Sequence, residues 1–394
     1  MGILDGVTVV ELGVWVAGPA VGGVLADWGA DVIKVEGLDA DPFRGALAEV
    51  ADFSAAFDLD NRGKRALAID WRSDEGAAIV GRLADQADVF VTNLRPGGLA
   101  LAGLDYETLR GRNPRLIYAS VTGYGLHSSE ADRPAFDIGA FWSRAGIAHL
   151  VGRPGGEPGG IRPGLGDHTA AMQALAGITA ALYHRERTGE GQQVRVSLLR
   201  AGAYTIGWDI SSALTGAGVL PLHREQHPNL LIAPFRTRDG GYMQLLMMQG
   251  DRFWPQFCRA VARPEWEHDP RFATLADRAE NAVPLDEAMT AVMAQKTRDE
   301  WAAIFDREGI WWAPVQTMDE VIADPGMAEA GAWASQPRPE GDARVVASPV
   351  DFGETPWALR GPAPEFGQHT EEILLELGYD WDGIIGLKDR GLIP

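Results

Sequence analysis

Gly166 and Asp167 stand at the head of a long helical pattern in "GIRPGLGDHTAAMQALAGITAALYHRERTGEGQQVRVSLL", residues 160–199. An aspartate there is ordinarily a cap, its carboxylate accepting from free N–H groups of the first turn. It is equally a usable nucleophile. A carboxylate that attacks an activated acyl group forms a derivative close in energy to other acids, so acyl carriers are exchanged without ATP. The helix dipole favours the ionised form in the first turn by about 0.3–1 kcal/mol. Gly164 and Gly166 leave space for a bulky substrate near the backbone, and Ala170 and Ala171 keep the first turn open.

The elements that must position Asp167 follow from pattern. Val7 to Glu36 read as strand, glycine-punctuated turn, a helix opening at Pro19, and the strand "DVIKVE". A second strand–helix–strand unit takes Ala66–Ile69, a helix from Ser73 to Gln86, and the buried-type strand Val89–Thr92. A helix over Tyr106–Arg112 and the strand in "RLIYASVTGYG" come next. Strands alternating with helices of this length predict an α/β fold with a Rossmann-like, mostly parallel sheet, whose ligands sit at the carboxyl ends of the strands. The helix His168 to about Arg187 then ends on Gly189, and an alternating strand follows.

The predicted domain layout is a large domain over 1–211, a glycine- and proline-rich linker over 212–229, a small α+β domain over 230–327, and a returning linker and C-terminal segment over 328–394. The small domain holds a hairpin turned at Asp239 and Gly240. It also holds a helix with a Thr297–Glu300 capping box and an apolar face of Trp301, Ile304 and Phe305. One more capped helix is expected in "GQHTEEILLELGYD".

Composition excludes several functions. A net charge of -20 over 394 residues argues against nucleic-acid binding, which needs a basic face. No stretch has the length and apolarity of a membrane span or signal peptide, so the expectation is a cytoplasmic protein with no membrane partner. The single Cys258 forms no internal disulfide and no cysteine-rich metal site, so no metal is expected. Glu36 ends the second strand where a ribose-binding acid would sit. The turn "GVWVAGP" nevertheless lacks G-x-G-x-x-G, which argues against a dinucleotide dehydrogenase.

Ten phrases in order resemble the class III CoA-transferases, the formyl-CoA transferase or CaiB/BaiF family, which also contains the α-methylacyl-CoA racemases. Among them are "LDGVTVVELG", "LADWGADVIKVE", "NRGKRALAIDW", "ADVFVTNLRPG", "NPRLIYASVTGYG", "RPAFD" and "GDHTAAM". The resemblance implies an interlocked, ring-like homodimer that binds coenzyme A thioesters and carboxylic acids as substrates, with no tightly bound cofactor. It implies that Asp167 is the catalytic nucleophile, passing through a mixed anhydride and an aspartyl-CoA thioester. The racemases carry a histidine, in a Gly-His-Asp-Ile type phrase, where this chain has Phe136. Phenylalanine exchanges no proton, so CoA transfer is the first reading and α-methylacyl-CoA racemisation or isomerisation the alternative. His127 and His168 remain as other bases.

For CoA itself, the resemblance points to the loop Val14, Trp15, Val16 and Ala17, to the loop Asn93, Leu94 and Arg95, and to Tyr124 and Phe136. The cations Arg62, Lys64 and Arg65 are expected at the CoA phosphates, with Arg44 replacing an arginine missing at Gly37. Val16 replaces a polar residue of the oxalate-handling members. Trp15, Phe141, Trp142, Trp311 and Trp312 are either core packing or the wall of an aromatic acyl pocket.

Overall fold

Six parallel strands make the sheet that carries the site: β1 Thr8–Leu12, β2 Asp31–Glu36, β3 Arg65–Ala68, β4 Val89–Thr92, β5 Ile117–Thr122 and β6 Gln193–Ser197. Their order is β3-β2-β1-β4-β5-β6 and every pairing is parallel. Strands β1 to β5 are buried on both faces, which is why they read as near-continuous apolar runs. The order reverses between β1 and β4, and such a switch opens a crevice at the strands' carboxyl ends.

This computed structural model describes residues 2–45, 55–219, 221, 224, 227–338 and 341–394. The chain divides into two compact units. One comprises Met1–Ala148, Gly160–Val219 and Gly331–Pro394, and the other His149–Gly159 and Leu220–Ala330. Part of the segment read as a linker over 212–229, residues 220, 222, 223, 225 and 226, lies outside the described residues. Its first residues are helical, completing Gly207–Leu214.

In the larger unit, α1 (Ala17–Asp27) and the long helix Leu165–Thr188 pack on one face of the sheet, and α3 (Asp74–Gln86) and the C-terminal helices pack on the other. The outer edge of β3 is covered by the returning C-terminal segment. Ala66 N–H donates to His369 Nδ1 at 3.1 Å and Ala68 N–H to Thr370 Oγ1 at 3.0 Å, so this edge offers no row of free donors. Helix Thr370–Glu376 is followed by Trp381–Asp389, a second C-terminal helix the pattern did not reveal.

The smaller unit is built around a three-stranded antiparallel sheet, β7 Pro234–Arg236, β8 Tyr242–Leu245 and β9 Trp312–Val315, with the Asp239–Gly240 turn joining the first two. Helix Arg298–Glu308 has its Thr297–Glu300 capping box and buries Trp301 and Phe305. Cys258 is buried here, and burial pushes its thiol up to about 12, so it is a packing residue.

Two helix starts differ from the sequence reading. Helix α1 opens at Ala17, two residues before Pro19. The long helix opens at Leu165, with Gly164 as its N-cap at φ 81°. Asp167 is therefore inside the first turn and is not the cap. Gly166 is also not a gap for substrate. A Cβ there would lie 2.6 Å from Phe141 Cγ and 2.8 Å from Asp137 Cβ, so the missing side chain is already filled by neighbouring packing. Ala170 and Ala171 are fully buried in the core, where they let helices approach closely.

Candidate active site

The crevice at the sheet's switch point holds a cavity of about 260 Å³. Its floor and walls come from the loops after three adjacent strands: Val14, Trp15, Val16 and Ala17 after β1, Asn93, Leu94 and Arg95 after β4, and Gly123 after β5. Phe136 and Asp167 complete it. Nine residues singled out from sequence are thus brought together. Tyr124 is not among the lining residues, and its ring is stacked by Arg133 and Arg144.

The first loop is fixed from two sides. Asn93 accepts from Val14 N–H at 2.9 Å and donates to Val14 O at 2.7 Å. Asp41 accepts from Trp15 N–H at 3.0 Å. Trp15 has φ 63°, a left-handed conformation that a bulky residue adopts only when its surroundings hold it there. Its indole meets Phe136 edge-on, ring centroids 5.5 Å apart, and packs near Phe43 at 6.1 Å. Of the five bulky aromatics noted in the sequence, Trp15 alone faces this cavity. Phe141 is buried beneath it, Trp142 packs against the core, and Trp311 and Trp312 belong to the other unit.

Asp167 is half-buried, and its carboxyl is pushed up to about 7. Loss of solvation is the main cause, and the Asp137 carboxylate adds to it. His168 pulls the other way, and Asp60 pushes up again. The helix dipole is outweighed, so the expectation of a simply stabilised anion is corrected. Asp137, absent from the sequence candidates, does the capping. Its Oδ2 accepts from Gly166 N–H at 3.1 Å. It adjoins Phe136 in "RPAFD", and that adjacency is the signal that would have found it.

The cations assigned to phosphate from sequence are engaged elsewhere. Arg62 is buried, donating to both oxygens of Asp27 and to Val346 O. Lys64 is buried between Glu11, Pro19 O and Asn61. Arg65 pairs with Asp31, Glu372 and Glu376. Arg44 is held by both oxygens of Glu36 and by Pro364 O. Arg62 and Lys64, buried and satisfied in this way, are structural, because freeing one for a ligand strands its partner, while Arg44 and Arg65 are half-buried and already paired. Glu36, the ribose-acid position, is accordingly the anchor of Arg44. Arg95 is exposed at the cavity and has no ion-pair partner among the described residues, and Arg133 lines it while pairing with Glu130.

His127 is exposed, and His168 is bound through Nε2 to Asp60. No group of three or more metal-ligating side chains is found among the described residues, and no helix there is long and apolar enough to cross a membrane.

Comparison with known proteins agrees with this geometry. The description of CoA-transferase family III fits residues 4–370. The chain is 33% identical to (R)-2-hydroxy-4-methylpentanoate CoA-transferase of Clostridioides difficile, covering 99% of both chains. It is 34% identical to cinnamoyl-CoA:phenyllactate CoA-transferase of Clostridium sporogenes, over 99% of this chain and 97% of that one. Among solved structures, a CaiB/BaiF family protein from Brucella suis is 32% identical with a TM-score of 0.84, covering 95% of this chain and 99% of that one. With matches of this length and identity, the chain belongs to CoA-transferase family III and is a class III acyl-CoA:carboxylate CoA-transferase.

Proposed function

We propose that the enzyme moves CoA between carboxylic acids through covalent intermediates on Asp167. An Asp167 oxygen attacks the thioester carbonyl, the C–S bond breaks, and CoA leaves as thiolate with a mixed anhydride formed. The thiolate attacks the aspartyl carbonyl, releasing the first acid and leaving an aspartyl-CoA thioester. The acceptor carboxylate attacks that thioester, expelling the thiolate. The thiolate then takes the acceptor's acyl group and frees Asp167.

The observation that carries this reading is the placement of Asp167 as the sole carboxylate lining the switch-point cavity among the described residues. Its weak solvation suits attack, since a poorly hydrated carboxylate sheds little water to reach the carbonyl. Trapping tests it. Protein incubated with acyl-CoA and then hydroxylamine or borohydride should carry the modification at Asp167, located by peptide mass spectrometry. An unmodified Asp167 during turnover would sink the reading. Phe136 supplies no base where the racemases have histidine, which supports transfer over proton exchange.

Arg95 and Arg133 are the cations best placed for CoA phosphates. The acyl group is apolar, branched or aromatic: the wall is Trp15 and Phe136, with Val16 between loop and nucleophile. The acids named for the Clostridioides and Clostridium relatives, 2-hydroxy-4-methylpentanoate and phenyllactate, have that character. Phe136→Ala should lower kcat/KM for a phenylpropanoyl-CoA by about tenfold relative to acetyl-CoA. Equal losses for both donors would remove Phe136 from the acyl wall. The working form is a cytoplasmic homodimer, with His149–Gly159 as well as Leu220–Ala330 in the small domain of each copy. The exposed Tyr204, Trp208 and Leu214 of the larger unit support a face covered by a second copy.

A further inference from the structure

Three carboxylates converge on the start of the long helix: Asp167 itself, Asp137 from the turn before the π-helical segment Ile138–Arg144, and Asp60 from α2 (Ala55–Asn61). The imidazole of His168 stands among them, with Lys64 also acting on Asp60. Its Nε2 lies 3.0 Å from Asp60 Oδ1. The Asp60 side chain is only 5% exposed, whereas that of His168 is 45% exposed. A buried carboxylate needs a charged partner, and His168 is the side chain that Asp60 bonds to.

The backbone of Asp60 is also fixed. Gly23 of α1 lets the two helices approach so closely that a Cβ there would sit 2.8 Å from Asp60 O. Asp60 therefore holds the imidazole in place from a rigid element, in the same first helical turn as the nucleophile and close enough for the two charges to act on each other.

We infer that the Asp60–His168 pair is a positioning device for Asp167, an imidazolium anchored beside the nucleophile so that its carboxylate is available in the ionised form among neighbouring anions. This rests on the reading of Asp167 as nucleophile. Burial pushes Asp167 up and His168 opposes it, while the hydrogen bond that the imidazole donates to Asp60 raises it above its ordinary value. The other charges on elements packed against this helix are occupied away from it. Asp27 of α1 pairs with Arg62, Arg144 pairs with Glu130, Tyr118 of β5 donates to Leu104 O, and Arg195 and Arg200 line a separate cavity. Lys64, beyond Asp60, is bound to Glu11.

Two measurements test the device. The first is kcat/KM for CoA exchange against pH, whose acidic limb reports ionisation in the free enzyme. Removing a cation raises a neighbouring carboxyl, so His168→Gln should move that limb to higher pH by about one unit. His168→Lys should bring it back toward the parent position. A lower plateau with the limb in place would mean that His168 merely supports the fold, and would overturn the inference. The second measurement keeps His168 and needs no turnover. Coupling is reciprocal, so Asp167→Asn should lower the His168 titration midpoint, followed by NMR of carbon-13-labelled histidine and assigned with His168→Gln. An unchanged midpoint would also overturn the inference. Retained exchange in Asp167→Ala is a different outcome, because it removes the nucleophile reading while the NMR result still stands or falls by itself.

Discussion

Asp167→Asn is expected to abolish CoA exchange and to stabilise the fold in the same molecule. An amide has no oxygen nucleophilic enough to open a thioester, and losing a covalent nucleophile costs on the order of 10⁴-fold or more in rate. The stability gain follows from the direction of the carboxyl's shift. Its ordinary value is 3.8 and the fold pushes it up to about 7. Between those values the folded chain holds a proton that the unfolded chain has released, so stability falls as pH rises through that window. The penalty is complete above about 7 and absent below the ordinary value. Asparagine has the same shape and never ionises. The variant should therefore exceed the parent by on the order of 2 kcal/mol near pH 8, with the two converging near pH 4. Denaturant unfolding at the two pH values, beside an isotope-exchange assay, checks both halves. A variant as inactive as expected but no more stable at high pH would mean that Asp167 is well solvated in the free enzyme. The weak-solvation argument for its attack would then be lost.

Much of the fold was legible because parallel strands buried on both faces announce themselves as apolar runs, and β2 and β4 were read to the residue and β3 to within one. The start of the long helix was not, for a physical reason. Gly164 and Gly166 look like loop residues. One is glycine because its φ is 81°, the other because Phe141 and Asp137 occupy the space a side chain would need. Neither demand is visible without the neighbours. The loops around the cavity were legible as a group, since a switch point brings them together. The cations were not. Arg62 and Lys64 find their partners 35 and 53 residues away, at Asp27 and Glu11, and sequence shows a charge but not who neutralises it. Asp137 was not legible because the Gly166 N–H it accepts from lies 29 residues further along the chain. Asp60 lies on a short helix that the pattern did not bring out.

Glu11→Ala should be the most destabilising single substitution in the larger unit, and it should loosen the substrate cavity as well. Both Glu11 oxygens are used at once: Oε2 takes Lys64 Nζ at 2.5 Å and Oε1 takes Lys34 Nζ at 3.2 Å, all of these side chains being fully buried. Lys34 is shared with Asp41 at 2.9 Å and Gly13 O at 3.3 Å, and Asp41 in turn accepts from the N–H groups of Trp15 and Phe43. Truncating Glu11 leaves Lys64 with only neutral acceptors, Pro19 O and Asn61 Oδ1. Breaking a buried pair from one side costs about 3–5 kcal/mol, enough to lower Tm by on the order of 10 °C. The pH dependence distinguishes a stranded charge from a cavity. Burial already holds Lys64 down at about 8, despite the pull of Glu11. Without that pull the ammonium is disfavoured further, so the unfolded chain binds a proton that the folded chain does not, up to the ordinary value of 10.5. Stability of either chain rises with pH up to that value, so the two differ only where the parent's folded state still holds the proton; the deficit of Glu11→Ala relative to the parent should shrink as pH rises toward about 8 and stay constant above it. A deficit flat in pH would assign the loss to packing alone. Replacing all four charged members together, Glu11→Leu with Lys34→Met, Lys64→Met and Asp41→Asn, should cost less than Glu11→Ala, because no buried charge is then left without a partner. That variant also loses the tie from Lys34 to Asp41, so the conformation of Trp15 is no longer enforced. Activity toward bulky acyl donors should then fall even where stability is restored, which separates what the network does for the fold from what it does for the cavity wall.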